Sequence, residues 1–191
     1  INMFRTKTIL LILIAIFCSG EIIISQQYEI VYSLRTSFSS GQNEFVYNQL
    51  ISNDISYTEF DNDATNLLKS QDLSYDKTAP KPYVLYLPEE GHITYTAYVQ
   101  SKNFILREKT PLVDWKMTGE KKYILGHSCQ KATTSFRGRL YSLWLTTELG
   151  VIGGVWKFVG LPGYVMAASS DDGEVEYSVQ SIKLSDKAIP N

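Results

Sequence analysis

The chain has 191 residues, of which 44% are hydrophobic and 20% are charged, and its 18 basic and 20 acidic side chains give a net charge of −2. This near balance leaves no basic excess for the phosphate backbone, which excludes the nucleic-acid-binding class of protein. The length is typical of one domain and is sufficient to bury a hydrophobic core.

The first 25 residues have the pattern of a cleaved secretory signal peptide. Two basic residues, Arg5 and Lys7, precede an uncharged apolar run over residues 9–17, which is an n-region followed by an h-region. The run is roughly half the length that a membrane-spanning helix needs. We therefore predict Sec-type export, cleavage after Ser25 and no transmembrane anchor after cleavage.

Removal of residues 1–25 leaves a single domain over residues 26–191, with 16 basic and 19 acidic side chains and a net charge of −3. We expect this domain in the periplasm, at the outer-membrane surface or outside the cell. A lipoprotein acylated at Cys18 is the alternative, which the bulky Phe17 before it disfavours. The mature chain keeps only Cys129, so an intramolecular disulfide is excluded and a buried apolar role is favoured.

Apolar residues alternate with polar ones from the start of the mature chain, a period of two that is typical of half-buried strands. The predicted elements are, in chain order, strands over residues 28–35, 45–51 and 55–60, a short helix over Ala64–Ser70, and strands over 83–87, 92–99, 104–107, 114–118, 122–136, 139–146, 163–168 and 175–182. We predict a mostly β fold, a single antiparallel meander sheet of about nine to twelve strands, curled into an open barrel or bowl with that one helix against it.

Turn residues separate these strands. The predicted turns are Ser39-Ser40-Gly41, Pro88-Glu89-Glu90-Gly91, Gly119-Glu120, a hairpin tip at Gly138, and Ser170-Asp171-Asp172-Gly173. Glycine and Asp-Gly pairs favour the positive φ angles of tight hairpins. The apolar phase slips between Val179 and Ile182, which predicts a β-bulge there.

Residues 149–163, here called the glycine-rich loop, carry five glycines, one proline and two large aromatic residues. Disordered linkers lack such aromatics, so we predict an ordered loop that Trp156, Phe158 and Leu161 pin to the sheet. Loops on a rigid sheet often carry binding residues. A structural plug over the open end of the curled sheet is the alternative role.

The loop ends in Gly160-Leu161-Pro162-Gly163-Tyr164-Val165, which resembles the signature hexapeptide of the GLPGLI family of bacterial envelope proteins. Other segments match that family's pattern in order: Asp114-Trp115-Lys116, Lys122 to Gly126, Cys129 to Ala132, Phe136 to Arg139, Trp144, and Asp171-Asp172-Gly173. The family usually has Leu-Ile where this chain has Tyr164-Val165. The resemblance implies an exported β domain and supplies no catalytic residues.

Three groups of residues are candidates for function. The first is the loop set Trp156, Phe158, Gly160, Leu161, Pro162 and Gly163. The second is Arg137 and Arg139, which flank Gly138 at a hairpin tip and are suited to gripping a carboxylate or phosphate, or else form a solvated turn that resists edge pairing. The third is His127 and Cys129, a thiol-imidazole dyad or half of a metal site, with ordinary strand residues as the favoured interpretation.

No motif of a hydrolase, nucleotide-binding loop or zinc protease occurs in the sequence. We therefore predict a non-enzymatic module without metal or cofactor, which binds an apolar or peptide ligand or a partner protein in the concave face of the sheet. A structural or assembly protein of the envelope without a small ligand is the second hypothesis, and an enzyme is the third.

Overall fold

Strand-forming segments build a sheet of twelve strands in the computed structural model, which describes residues 26–60, 81–99 and 102–190. The strands are β1 Tyr28–Phe38, β2 Gly41–Ile51, β3 Ser56–Phe60, β4 Tyr83–Leu87, β5 His92–Val99, β6 Lys102–Lys109, β7 Lys116–Ile124, β8 His127–Phe136, β9 Arg139–Thr146, β10 Gly153–Gly154, β11 Tyr164–Ser170 and β12 Val175–Leu184. The predicted signal peptide and the predicted helix Ala64–Ser70 lie outside the described residues.

The strands form two meanders, β1 to β6 and β7 to β12, which are joined by the pairing of β1 with β12. Across the sheet their order is β6, β5, β4, β3, β2, β1, β12, β11, β9, β8, β7, with β10 beside β11. All neighbours are antiparallel except the short parallel pair of β10 and β11. The predicted antiparallel sheet, curled and not closed into a barrel, is confirmed. Among the described strands its edges are β6 and β7, which succeed each other in the chain.

Strand β1 joins the two meanders because it pairs over its length with β2 on one side and with β12 on the other. Ile30 and Tyr32 of β1 are at most 1% exposed. Between Val31 and Tyr32 the register with β12 shifts, and Gln180 is left without an opposite residue. The bulge predicted between Val179 and Ile182 is therefore confirmed.

The turn predicted at Gly119-Glu120 is wrong. These residues lie inside β7, where Met117 pairs with Ala132 and Lys121 pairs with Gln130, so a bulge absorbs the extra residues. The chain reverses instead at Leu125-Gly126, with φ angles of 50° and 84°. Positive φ at both central residues is the geometry of a two-residue hairpin, which only Gly126 adopts without strain.

The tip predicted at Gly138 is confirmed as another two-residue hairpin. Arg137 and Gly138 have φ angles of 51° and 83°, and Phe136 pairs with Arg139 across the tip. Because Arg137 occupies the left-handed region, its side chain leaves the hairpin in a direction that a strand residue would not take.

The glycine-rich loop lies across the inner face of the sheet and completes the core. Its apolar side chains are 0–3% exposed at Leu149, Val151, Val155, Phe158, Val159 and Leu161. The buried Gln49 of β2 donates from Nε2 to the Gly154 carbonyl at 3.1 Å and accepts at Oε1 from the Tyr164 hydroxyl at 2.5 Å. The loop is therefore held by hydrogen bonds as well as by apolar packing.

Two glycines allow the loop backbone to approach the sheet closely. A Cβ atom at Gly154 would lie 2.6 Å from Cβ of Val165, and one at Gly163 would lie 2.4 Å from the carbonyl oxygen of Thr146. Both distances are shorter than van der Waals contact, and the second is to backbone that cannot rotate away. Glycine at these positions is thus a packing requirement.

Gly163→Ala is expected to lower the free energy of unfolding by about 3 kcal/mol, because the added Cβ must displace the Thr146 backbone. Gly119→Ala is the matched control, since nothing lies within 4 Å of a Cβ placed there, and it should change stability by less than about 0.5 kcal/mol. Urea denaturation of both variants measures the difference. Equal losses would show that the close approach does not constrain position 163.

Candidate functional site

A cavity of about 300 Å³ opens on the inner face of the sheet beside the glycine-rich loop. We call it the inner pocket. Its lining consists of Tyr32, Leu34, Tyr47, Phe60, Val84, Tyr95, Thr96, Arg137, Trp156, Lys157 and Tyr177. Strands β1 to β5 and β12 supply one part of this lining, and the β8–β9 turn and the glycine-rich loop supply the rest.

Strand pairing places a row of aromatic rings along the pocket wall. Tyr32 of β1 lies directly opposite Tyr47 of β2, and Tyr47 lies directly opposite Phe60 of β3. The first pair stacks with ring centroids 4.9 Å apart, and the second pair lies 4.7 Å apart at an interplanar angle of 54°. Such cross-strand aromatic pairs stabilise a sheet and also present ring faces on one side of it.

Trp156 of the glycine-rich loop adds a further ring to the pocket wall. Its φ angle of 52° is in the left-handed region, and its backbone N–H donates to the Tyr32 hydroxyl at 3.3 Å. The indole stacks on Tyr177 with centroids 6.0 Å apart and ring planes 8° apart. The wall is therefore held by the sheet, and the indole is presented to the pocket as a half-buried surface.

Two cations and one carboxylate complete the site. Lys157 is 3% exposed, and its Nζ lies 2.5 Å from Oε1 of Glu108 and 3.7 Å from the centroid of Tyr95. Burial lowers the pKa of the Lys157 ammonium, and hydrogen bonding to Glu108 opposes that shift. Arg137 donates from Nη2 to both oxygens of Glu108 at 3.4 Å, and its guanidinium lies 5.4 Å from the Trp156 ring centroid.

The structure brings only two of the predicted site residues, Trp156 and Arg137, to the inner pocket. Phe158 lies beneath it, fully buried between five rings: Trp115, Phe136, Tyr141, Trp156 and Tyr177. No ligand in the pocket can reach Phe158 while the core is intact.

The other predicted residues lie outside the inner pocket. Leu161 and Gly163 are buried, whereas Gly160 and Pro162 are exposed, and Pro162 borders a different depression. Arg139 points to the β11–β12 turn, where it forms ion pairs with Asp172 and Glu174. Arg137 therefore lines the inner pocket, whereas Arg139 forms its ion pairs at the β11–β12 turn.

Sequence reasoning missed the other nine residues of the lining, among them Tyr32, Tyr47 and Lys157, and it missed Glu108 behind the lining. The alternation of β1 places Tyr32 on its inward face, and a lysine within the apolar run Val155 to Val159 is a local signal for a paired buried charge. Glu108 carries no local signal, because only the folding of the sheet brings it next to the loop.

His127 and Cys129 do not form a thiol-imidazole pair through their hydrogen bonds. The His127 Nδ1 atom lies 3.1 Å from Oε2 of Glu148, whereas the Cys129 thiol donates to the His127 backbone carbonyl at 3.5 Å. Cys129 is fully buried, and burial raises the pKa of its thiol. The predicted buried role of Cys129 is confirmed. Among the described residues, no group of three His, Cys, Asp or Glu side chains is arranged to hold a metal ion.

A larger depression of about 440 Å³ lies against β8 and β9. Its lining is dominated by hydroxyl and charged side chains: Asp114, Lys116, Thr133, Thr134, Ser135, Ser142 and Asp171, together with Leu140 and Tyr141. The inner pocket is smaller but is walled by rings from several strands, which is the composition typical of small-molecule sites.

The fold is similar to part of PNGF-II, whose structures in space groups C2 and P21 match with TM-scores of 0.64 and 0.62 at 21% sequence identity. Each match covers 87% of this chain and 29% of PNGF-II, so the chain spans less than a third of that protein. A LolA superfamily protein from Nitrosomonas europaea matches with a TM-score of 0.37 and 10% identity, over 87% of this chain and 89% of that one.

At 21% identity, the similarity to PNGF-II shows a fold that this chain shares with a part of that protein. No protein-family model and no curated protein matches the sequence. In the part of the chain that the structure describes, no helix combines the length and apolar character needed to cross a membrane.

Phe158→Ala is expected to lower the free energy of unfolding by about 3–5 kcal/mol, because it leaves a cavity among five packed rings. Trp156→Ala removes a half-buried ring and should cost less, about 1–2 kcal/mol. Thermal and urea unfolding compare the two variants. Similar losses for both would contradict the assignment of Phe158 to the core and Trp156 to the pocket wall.

Alkaline pH is expected to unfold the protein sharply. Burial raises the pKa of Tyr32, Tyr47 and Tyr177, whereas tyrosines of the unfolded chain ionise near pH ~10. The stability that each contributes is therefore fully present below about pH 10 and decreases by about 1.4 kcal/mol per pH unit above it.

This titration is measured by urea denaturation between about pH 9 and pH 12, with tyrosinate absorbance followed in parallel. Tyr47→Phe should reduce the slope of stability against pH by one tyrosine equivalent. A stability that stays constant across this interval would show that the pocket tyrosines are not held protonated by the fold.

Proposed function

We propose that this protein is a non-enzymatic binding module of the bacterial cell envelope, which holds an apolar or peptide ligand in the inner pocket. The observation that carries the proposal is a cavity of about 300 Å³ walled by six aromatic rings. Ring faces provide a large apolar contact area at low cost in side-chain entropy, and ligand pockets use them for that reason.

The polar groups of the pocket favour binding over catalysis. Among the described residues that line it, none is a histidine, a cysteine or a carboxylate. The Thr96 hydroxyl accepts a hydrogen bond from the Tyr83 backbone N–H at 3.4 Å. Burial raises the pKa of the Tyr32 hydroxyl, so it stays protonated at neutral pH. General acid-base work needs a group poised near neutral pH, and Lys157, whose pKa burial lowers, is engaged in an ion pair with Glu108.

The cellular location and the family are part of the same proposal. The basic and apolar pattern of residues 1–25 supports Sec-type export to the periplasm, the outer-membrane surface or the medium. The hexapeptide Gly160 to Val165 and the other segments that match the family's pattern in the same order along the chain support membership of the GLPGLI family. The burial of Leu161 and the close approach at Gly163 support a structural role for the family's hexapeptide.

An envelope partner protein is the second candidate, and one observation favours it. Edge strand β6 exposes three consecutive apolar side chains, Phe104, Ile105 and Leu106, which are 45%, 68% and 40% exposed. Among the described residues β6 pairs on one side only, with β5, and an edge with such side chains is suited to accept a strand from another chain. This candidate requires no ligand in the pocket.

Native mass spectrometry of the exported protein, before and after organic extraction, tests the proposal. We expect a co-purifying apolar mass that Trp156→Ala reduces at least about tenfold in occupancy. Trp144→Ala is the matched control, because Trp144 contacts Lys122 and does not line the inner pocket. Both variants must first be shown to be folded.

A protein that carries no ligand in any preparation would contradict ligand binding. Crosslinking in intact cells through a photoreactive residue at Ile105 then tests the partner protein. Specific crosslinks from this edge strand, absent from the same residue placed at Leu140 on the sheet surface, would support an assembly role.

A further inference from the structure

The inner pocket has an excess of positive charge. Arg137 and Lys157 line it, and no carboxylate does so among the described residues. Both cations contact Glu108, which lies behind the lining and is 29% exposed at its side chain. Two positive groups therefore share one negative group, which leaves about one unit of positive charge beside six aromatic rings.

Arg137 has hydrogen-bonding capacity to spare. Its contacts with Glu108 come from Nη2 at 3.4 Å, whereas charge-assisted hydrogen bonds are typically about 2.7–2.9 Å long. A guanidinium has five N–H donors, and this side chain is 51% exposed. The geometry is thus that of a loosely held arginine beside an apolar cavity.

Lys157 shows why a cationic ligand does not suit this pocket. Its ammonium already occupies the face of Tyr95 at 3.7 Å from the ring centroid. A second cation would meet this charge in a partly desolvated space, where repulsion is stronger than in water. An anion would instead gain two partners, and bidentate recognition of carboxylates is the usual task of arginine.

We propose that the ligand of the inner pocket is an amphiphilic carboxylate, whose apolar body packs against the tyrosines and Trp156 and whose head group binds Arg137 and Lys157. This inference rests on the proposed function and gives its ligand a chemical class. In the protein without ligand, Glu108 contacts both cations. When the ligand enters, its carboxylate and Glu108 share Arg137 and Lys157. The cavity of about 300 Å³ fits a single chain of moderate length.

Isothermal titration calorimetry of the exported protein, expressed from the whole sequence and freed of co-purifying molecules, tests the proposal with three probes of equal chain length. These are decanoate, decanol and decyltrimethylammonium. We expect decanoate to bind at least about tenfold more tightly than decanol. Decyltrimethylammonium should bind more weakly than both, because its charge is opposed by Lys157.

Matched variants assign the preference to the proposed groups. Arg137→Gln should remove most of the difference between decanoate and decanol, whereas Arg139→Gln should preserve it, because Arg139 pairs with Asp172 and Glu174 away from the pocket. Arg137 is half exposed, so Arg137→Gln is expected to fold.

The failures of the two proposals are distinguishable. Equal affinity for decanoate and decanol, or equal effects of the two arginine variants, would overturn the carboxylate assignment and leave apolar binding in place. Tighter binding of decyltrimethylammonium would also overturn it. The absence of binding by all three probes would overturn the proposed function together with this inference.

Discussion

Residues 149–163 fill the inner face of the sheet because a curled sheet cannot leave that apolar face open to water. Burial of Phe158 and its neighbours removes apolar surface from solvent, which is the dominant favourable term in folding. The close backbone approach at Gly154 and Gly163 allows the loop to sit directly on strands β9 and β11. The position of every pocket residue on this loop depends on that contact.

The glycine-rich loop fills the core with one part of its residues and lines a cavity with another. It is a plug at Phe158 and Leu161, whose side chains are 0% and 3% exposed. It is also the wall of a cavity at Trp156 and Lys157, which line the inner pocket. The loop does not fill the whole inner face, so a pocket remains between it and the sheet. A preformed pocket of this kind lowers the entropic cost of binding.

An electrostatic contact also connects edge strand β6 with the glycine-rich loop. Lys157 and Glu108 are 49 residues apart in the chain, and their ion pair joins edge strand β6 to the loop. Burying an ammonium requires a partner, since an unpaired buried charge is strongly destabilising. The pair therefore joins β6 to the loop and keeps a cation next to the aromatic rings, so this contact and the proposed ligand contact use the same residues.

The sequence by itself determined the β class, most strand positions, the hairpin tip at Gly138 and the bulge near Gln180, because alternation and turn chemistry are local properties. It failed at Gly119, since whether a glycine makes a turn or a bulge depends on the register with the neighbouring strand. The sequence also indicated the glycine-rich loop as a candidate site, and it named Trp156 and Arg137, which line the inner pocket.

Only the tertiary structure decided which loop residues face a cavity and which lie in the core. Trp156 and Phe158 are both aromatic and two residues apart, yet one lines the pocket and the other is fully buried. The pairing of Tyr32 with Tyr47, and the approach of Glu108 to Lys157, are contacts between distant segments. Such contacts depend on strand order and sheet curvature, which local patterns of residues do not encode.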